Sequence, residues 1–273
     1  MTARLERRLR AAFGGRVVVV TGASRGIGAA AARMLGAAGA RVVLLARDAE
    51  ALEELASGIR AAGGDAATVP LELRDATATA ETAHRILAEH GAPALVLANA
   101  GHSIRRTARD SAGRAHDVQR TVAANYTGHA ALLLELLPAM RASGRGRVVV
   151  SSTAALAVPA PGWSAYVASK AALERWIRDV DAETRPEGVT FGAVRLPLVR
   201  TAMSAPTAAY REARAMSADR AARMLLVAAL GRRRLVQAWW VGLVGFAATL
   251  APGLAERVGR RWQRRLAAAQ EAG

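Results

Sequence analysis

The chain has 273 residues and a formal net charge of +16, with 38 basic against 22 acidic side chains. Cysteine is absent, which excludes disulfides, cysteine nucleophiles and cysteine-based metal sites, and the five scattered histidines show no metal-binding spacing. The basic residues are spread along the chain and aromatic residues make up only 4%, so we expect no nucleic-acid partner. An anionic small molecule or lipid headgroup fits the charge better.

Strand and helix patterns alternate along the chain. Leu5, Leu9 and Phe13 predict a short amphipathic helix over 1–13, and the β-branched run 17–21 predicts the first strand. Further strands are predicted at 41–46, 66–71, 94–98, 147–151 and 189–195, with helices ending near 39 and over 49–62, 77–90, 116–141 and 164–184. Strands that are apolar throughout and separated by helices predict an α/β fold, a parallel sheet covered by helices on both faces.

A glycine-rich loop follows the first predicted strand and opens the first helix of the alternation. The residues at 21–28 read TGASRGIG, so that glycines permit a tight turn and let the backbone approach a pyrophosphate at the helix amino end. This position predicts a dinucleotide cofactor, bound by Gly22, Ser24, Arg25, Gly26, Ile27 and Gly28.

The end of the second predicted strand bears on which dinucleotide is bound. Ala46 stands where an NAD site usually has an acidic residue, and Arg47 follows it. Together with Arg25 this predicts NADP(H), with NAD(H) as the alternative if Asp48 reaches the ribose. We interpret Asp48 instead as the N-cap of the following helix.

Lys170 is the only lysine in the chain and comes four residues after Tyr166. Residues at this spacing share one face of a helix. A phenol beside an ammonium group can act as a proton-transfer pair, because the positive charge lowers the pKa of the tyrosine. The alternative is that Tyr166 and Lys170 are surface residues of one helix without a catalytic role.

Taken together, these motifs resemble the short-chain dehydrogenase/reductase family over residues 14–205. The glycine loop, the Asn99-Ala100-Gly101 turn, Asn125, the Ser151-Ser152 pair and the Tyr166/Lys170 pair occur in family order. The resemblance implies a doubly wound Rossmann fold and hydride transfer between a nicotinamide cofactor and a carbonyl/alcohol pair. It also implies four catalytic residues: Tyr166 is the acid or base, Lys170 lowers the pKa of Tyr166 and binds the nicotinamide ribose, Ser152 binds the substrate oxygen, and Asn125 holds a proton-relay water. Further contacts with the cofactor are implied for Glu72, Leu73, Asn99, Ala100, Gly101, Pro197 and Thr201.

Three departures from the family pattern affect this reading. In the family the catalytic serine usually precedes the tyrosine by 13 residues. In this chain Thr153 precedes Tyr166 by 13 residues and Ser152 precedes it by 14. We favour Ser152, held in place by a one-residue bulge. The usual Pro-Gly after the sixth strand is Pro197-Leu198, and the glycine-rich final strand is missing, with only 234–237 able to replace it.

The chain resembles bacterial fatty acyl-CoA and fatty aldehyde reductases in these departures, in the 101–106 segment and in its apolar C-terminal part. That resemblance implies a long-chain aldehyde, acyl thioester or similar lipid carbonyl as substrate, with the loop 203–216 as a substrate lid or only a flexible connection. A 3-oxoacyl or steroid-type ketoreductase is the alternative enzyme. A cofactor-binding scaffold at a membrane is the alternative from another class.

The segment 235–255 carries no charged residue and is bracketed by arginines, so we divide the chain into a Rossmann domain, 1–234, and a C-terminal segment, 235–273. The C-terminal segment is expected to form a subunit interface, a lid over an apolar site, or a peripheral membrane contact through 235–265. No secretory signal peptide is recognisable, so a cytoplasmic location is expected, with the inner membrane face as the site of any contact. By family resemblance we expect a homodimer or homotetramer paired through 116–141 and 164–184.

Overall fold

The computed structural model of the protein describes residues 2–205, 207, 210 and 213–271, with side chains up to residue 261. Residues 206, 208–209 and 211–212 of the predicted lid loop lie outside the described residues, as do residues 1 and 272–273. The side chains of Arg264 and Arg265, part of the arginine bracket after 235–255, also lie outside them.

A seven-stranded sheet forms the centre of the fold, with strand order β3-β2-β1-β4-β5-β6-β7 and every neighbouring pair parallel. This confirms the predicted α/β fold with a doubly wound parallel sheet. The strands are β1 Val17–Thr21, β2 Arg41–Ala46, β3 Asp65–Pro70, β4 Leu95–Ala98, β5 Gly146–Thr153, β6 Val189–Leu196 and β7 Leu235–Gln237.

Helices cover both faces of the sheet. They are α1 Ala3–Phe13, α2 Gly26–Ala37, α3 Ala49–Ala61, α4 Ala76–His90, α5 Ala115–Val122, α6 Gly128–Ala142, α7 Ser164–Thr184, α8 Ala218–Ala229, α9 Trp239–Leu250 and α10 Pro252–Glu271.

The apolar strands divide their side chains between two hydrophobic cores. In β1, Val18 and Val20 pack with residues of α1, α2, α3 and α8, whereas Val17 and Val19 pack with residues of α4, α6 and α7. This alternation is the period of two that a strand imposes on its side chains. Because both faces are covered, strand residues of either parity are apolar.

The single helix predicted over 116–141 is wrong in one respect, because a π-helical turn over Ala123–Thr127 separates α5 from α6. The turn widens the helix around Asn125, which is fully buried. Gly128 follows the turn, and a Cβ at that position would lie 2.0 Å from the carbonyl oxygen of Leu73. The loop after β3 therefore crosses the helix at a place where only glycine fits.

The C-terminal segment begins with β7, which pairs with β6 and forms one edge of the sheet. After it, α9 and α10 are separated by Ala251. Among the described residues no single helix is long and apolar enough to cross a bilayer. Helix α9 and the residues Pro252–Arg261 are together long and apolar enough to cross a bilayer, but the two helices are bent by 115° relative to each other.

Candidate active site

The glycine loop connects the carboxyl end of β1 with the amino end of α2. Gly22 has a φ of +63°, and a Cβ there would lie 2.7 Å from the Cα of Ala100. A Cβ on Gly28 would lie 2.2 Å from the carbonyl oxygen of Gly22, so the helix packs directly on the turn. No side chain caps the first N–H groups of α2, which begins at Gly26. These backbone donors and the positive end of the helix dipole suit a phosphate.

A second turn packs against the loop where β4 ends. The side-chain amide of Asn99 donates to the backbone oxygens of Thr21 and Gly22, each at 3.4 Å. The backbone N–H groups of Asn99 and Ala100 both donate to the hydroxyl of Thr21, at 3.0 Å. The ring of His129 lies 3.0 Å from the same hydroxyl. Thr21 thus joins the two turns at the carboxyl edge of the sheet.

Four charged side chains lie just after β2 and after β3. Glu72 accepts from Arg74 at 2.6 Å and lies 3.5 Å from Arg47, which is 63% exposed. Burial raises the pKa of Glu72, but the hydrogen bonds from Arg74 outweigh burial and hold that pKa below its usual value. The Asp48 carboxylate accepts from the N–H of Ala51 at 3.1 Å, which confirms its interpretation as the N-cap of α3.

Tyr166 and Lys170 lie on the face of α7 that packs against β5. The ammonium group of Lys170 is buried and donates to the carbonyl oxygen of Ser151 at 3.0 Å. Burial lowers the pKa of Lys170 to about 8. Burial also raises the pKa of Tyr166, while the hydroxyl of Thr153 acts in the opposite direction by hydrogen bonding. Burial of the phenol thus dominates the pKa of Tyr166 in the single chain, and the expected lowering by Lys170 stays a prediction.

Ser152 and Thr153 both line the cavity, and their hydroxyls have different partners. The hydroxyl of Ser152 donates to Glu174 at 2.8 Å, and Glu174 forms an ion pair with Arg195 at 2.6 Å. Ser152 thus faces α7, as Val148 and Val150 of the same strand do, but its hydroxyl is occupied by Glu174. The pairing of β5 with β6 runs through Ser152 and Thr153 without the bulge we expected. Thr153 has the usual spacing of 13 residues and hydrogen-bonds Tyr166, so we now favour Thr153. The catalytic role of either hydroxyl stays a prediction.

Asn125 lies behind these residues in the π-helical turn. Its side-chain amide donates to the backbone oxygen of His102 at 2.8 Å and to the hydroxyl of Ser169 at 2.9 Å. Its side-chain oxygen accepts from the N–H of His102 at 2.7 Å. Asn125 thus fixes the chain just after the Asn99 turn; its predicted role in holding a water stays a prediction.

A cavity of about 1170 Å³ connects all these parts. Most of the predicted cofactor residues line it, together with Ser152, Thr153, Tyr166 and Lys170; these are Gly22, Ser24, Arg25, Gly26, Ile27, Arg47, Glu72, Leu73, Asn99, Ala100, Gly101, Pro197 and Thr201. Gly28 and Asn125 are not among the lining residues, since they pack behind the cavity wall.

The other end of the cavity is apolar. Its wall is built from the segment after β5 and from one face of α9 and α10, including Trp240, Val244, Ala248 and Leu254. Trp163 lies between this end and the tyrosine, with ring centroids 6.2 Å from Tyr166 and 6.0 Å from Tyr210, on which it stacks.

Comparison with known proteins identifies the family. A family model described as short chain dehydrogenase matches residues 16–212. The chain belongs to the short-chain dehydrogenase family. It is accordingly an NAD(P)-dependent oxidoreductase, as predicted.

Two relatives and one solved structure illustrate the range of similar proteins. An uncharacterized oxidoreductase of Mycobacterium tuberculosis is 39% identical over 258 residues, covering 93% of this chain and 76% of the relative. A fatty acyl-CoA reductase of Acinetobacter baylyi is 36% identical over 254 residues, covering 93% of this chain and 86% of the relative. The crystal structure of a metagenomic short-chain oxidoreductase in complex with NADP is 32% identical, with a TM-score of 0.73, covering 83% of this chain and 98% of that one.

Several residues of this short-chain dehydrogenase site were not found from the sequence. Thr153 had a signal in its spacing to Tyr166, which we interpreted as a bulge. Glu174 continues the stripe of Tyr166 and Lys170 at every fourth residue of α7, but its partner Arg195 comes from β6. The contact of Thr21 with His129 joins residues 108 positions apart, and no local pattern indicates it.

Proposed function

We propose that this short-chain dehydrogenase is an NADPH-dependent reductase of a carbonyl compound with a long apolar chain, such as an aldehyde or an acyl thioester. One observation carries the proposal: the cavity runs from the phenol of Tyr166 to an apolar wall supplied by α9 and α10. An apolar wall of this kind gives a hydrocarbon chain the surface it needs to leave water. The similarity to a fatty acyl-CoA reductase supports the same substrate class.

The residues at the other end of the cavity fit a nicotinamide dinucleotide. The open amino end of α2 would hold the pyrophosphate, and Glu72 and Leu73 would border the adenine. Ala46 leaves no carboxylate for the ribose at the end of β2, while Arg47 and Arg25 line the cavity there. These cations support a preference for the 2′-phosphate of NADP(H) over NAD(H). When bound, the cofactor supplies the hydride.

Tyr166 would donate a proton to the carbonyl oxygen of the substrate. Burial raises the pKa of its hydroxyl, so the phenol is protonated at neutral pH and ready to act as an acid. The hydroxyl of Thr153 would hold the same oxygen and fix its orientation. Lys170, buried one helical turn away, would bring positive charge to the cofactor ribose and favour loss of the phenolic proton during the reaction.

Asn125 and Ser152 would act behind the reacting groups. Asn125 holds the backbone of His102 on both its N–H and its oxygen, which keeps the Asn99 turn against the glycine loop. From this position it would also order a water that links Lys170 to solvent. Ser152, bonded to Glu174, would fix the end of β5 so that the hydroxyl of Thr153 stays within reach of the tyrosine.

The proposed assembly is a homodimer or homotetramer paired through α5, α6 and α7. Val118 of α5 and Leu134 of α6 are large apolar side chains that are about half exposed in the single chain, which supports burial of this surface in an assembly. Molar mass from light scattering tests this arrangement; a monomer at micromolar concentration would contradict it.

The test of the proposed function is initial rates of NADPH and NADH oxidation with aldehydes of increasing chain length, fatty acyl-CoA and 3-oxoacyl thioesters. We expect NADPH-dependent rates whose kcat/KM rises with chain length. The control is Tyr166→Phe, which should bind NADPH normally but lose about 100-fold or more in kcat. Rates confined to short carbonyls or to 3-oxoacyl thioesters would overturn the substrate class, and full turnover by Tyr166→Phe would overturn the acid.

A further inference from the structure

Helix α9 has an outer face that the proposed reductase does not use. Trp239, Leu243, Phe246 and Leu250 are 77%, 59%, 66% and 70% exposed, respectively. We call these four residues the outer face of α9. They recur at three- and four-residue spacing and therefore form one continuous apolar stripe.

The other sides of α9 face the cavity or the protein interior. Trp240, Val244 and Ala248 line the cavity, and Val241 is buried. The helix has no charged side chain at all. A helix that is apolar all round is normally buried on every side, so the outer face lacks a partner in the single chain.

Arginines flank this stripe at both ends. Arg232 and Arg233 precede α9, and Arg257, Arg260 and Arg261 lie in the first part of α10; all five are exposed. The net charge of the chain, +16, has the same sign. An apolar stripe flanked by cations, with an exposed tryptophan at one end, has the composition of a helix that lies in the interface of a membrane.

We propose that the outer face of α9 docks on an anionic lipid surface, with the flanking arginines on the headgroups. The helix has twelve residues and is about 18 Å long, which suits a helix lying along the surface. A second copy of this chain fits less well, because a twofold contact through the outer face would bring the same arginines of both copies together.

The position of the cavity gives this docking a consequence for the substrate. Leu254 and Val258 of α10 line the cavity and are also largely exposed, so they border its mouth. The mouth thus opens beside the docked face, and an apolar chain could pass from the lipid layer into the cavity without crossing water. This consequence rests on the proposed function, whereas the docking itself does not.

The experiment is co-sedimentation of the full-length protein with vesicles of phosphatidylcholine alone or mixed with phosphatidylglycerol. We expect binding to the mixed vesicles, weakened by salt and by Arg257→Gln with Arg261→Gln. The double variant Phe246→Ser with Leu250→Ser should lower vesicle partitioning by about tenfold or more. The matched control is Val227→Ser on α8, which removes a side chain that is 49% exposed outside the stripe and should bind as the wild type does.

Two results would overturn the docking: no binding to either vesicle, or equal binding of the Phe246/Leu250 variant. A lower molar mass of that variant without any change in vesicle binding would assign the outer face to a second copy instead. NADPH binding and reduction of a water-soluble short aldehyde by the same variant show that it is folded. Docking without any reductase activity would contradict the proposed function alone, and activity without docking would contradict this inference alone.

Discussion

The hydroxyl of Ser152 donates a 2.8 Å hydrogen bond to the carboxylate of Glu174, which lies eight residues after Tyr166 on the same helix, α7. Glu174 is in turn paired with Arg195, which lies beside Ser152 on the neighbouring strand β6. This network occupies the hydroxyl of Ser152 and favours Thr153 as the hydroxyl that hydrogen-bonds the tyrosine.

The first prediction separates these two neighbours. Thr153→Val keeps the shape of the side chain but removes the hydroxyl, and should lower kcat by about 100-fold. Ser152→Ala should change kcat only a few-fold but lower the free energy of unfolding by about 1 kcal/mol, because it removes one buried hydrogen bond to a carboxylate. Steady-state rates and urea unfolding of both variants check this; a larger loss of kcat for Ser152→Ala would reverse the assignment.

The second prediction concerns the cofactor. Arg47→Ala should raise the Kd of NADPH about tenfold, because it removes a cation beside the 2′-phosphate, and should leave the Kd of NADH nearly unchanged. Arg41→Ala is the matched control, since Arg41 is an exposed arginine at the other end of the same strand. Fluorescence titration measures both constants. Equal effects of Arg47→Ala on the two cofactors would remove the proposed phosphate contact.

The third prediction follows from the buried ammonium of Lys170, whose pKa falls from 10.5 to about 8 in the folded protein. Between these two values the unfolded chain binds more protons than the folded one, so stability rises with pH across this window. At pH 7 the buried charge costs up to about 3 kcal/mol. Lys170→Met should therefore be at least as stable as the wild type at pH 7, without cofactor.

The measurement for this third prediction is urea unfolding of both proteins from pH 7 to pH 10.5. The advantage of Lys170→Met should shrink as the pH rises above 8, since the wild type loses its penalty there. A difference between the two proteins that does not vary with pH would contradict the shifted lysine.

The fourth prediction concerns a buried carboxylate at the far end of α7. Asp181 accepts from the N–H of Phe191 at 2.8 Å and pairs with Arg185 and Arg234 at 2.8 and 2.7 Å. Burial raises its pKa, but these three contacts outweigh burial and keep the pKa below its ordinary value. Its contribution to stability is thus complete above about pH 4 and is lost as the pH falls through the lower folded value.

We expect Asp181→Asn to lower the free energy of unfolding at pH 7 by about 2 kcal/mol, less than for a fully enclosed pair because the arginines are partly exposed. Asp179→Asn on the same helix is the control. Asp179 forms an exposed pair with Arg175, and its loss should cost less than about 0.5 kcal/mol. An equal decrease of the free energy of unfolding in the two variants would contradict the predicted contribution of the buried Asp181 network.

The sequence predicted those parts of the fold that depend on local pattern. Apolar strands, the glycine loop and the caps of the helices are encoded within a few residues of where they act, so β1, α2 and the Asp48 cap were found from the sequence. The order of the motifs was also sufficient for the family.

The parts that were missed depend on contacts between distant residues or on small shifts along the helix. The π-helical turn at Asn125 is only five residues long, too short for its wider period to be recognised within a helical pattern. The choice between Ser152 and Thr153 depends on which of the two hydroxyls another side chain occupies, and hence on Glu174 and Arg195. The net pKa of Tyr166 depends on burial by the whole fold.

The most direct test of the central account is the chain-length dependence of kcat/KM in Ala248→Phe, which fills the apolar end of the cavity. Leu243→Phe, on the outer face of the same helix, is the control. The account predicts that Ala248→Phe loses about tenfold or more in kcat/KM with long-chain aldehydes, keeps its rates with short ones, and that the control keeps both. An equal loss at every chain length, or no loss at all, would contradict the apolar end of the cavity as the site of the substrate chain.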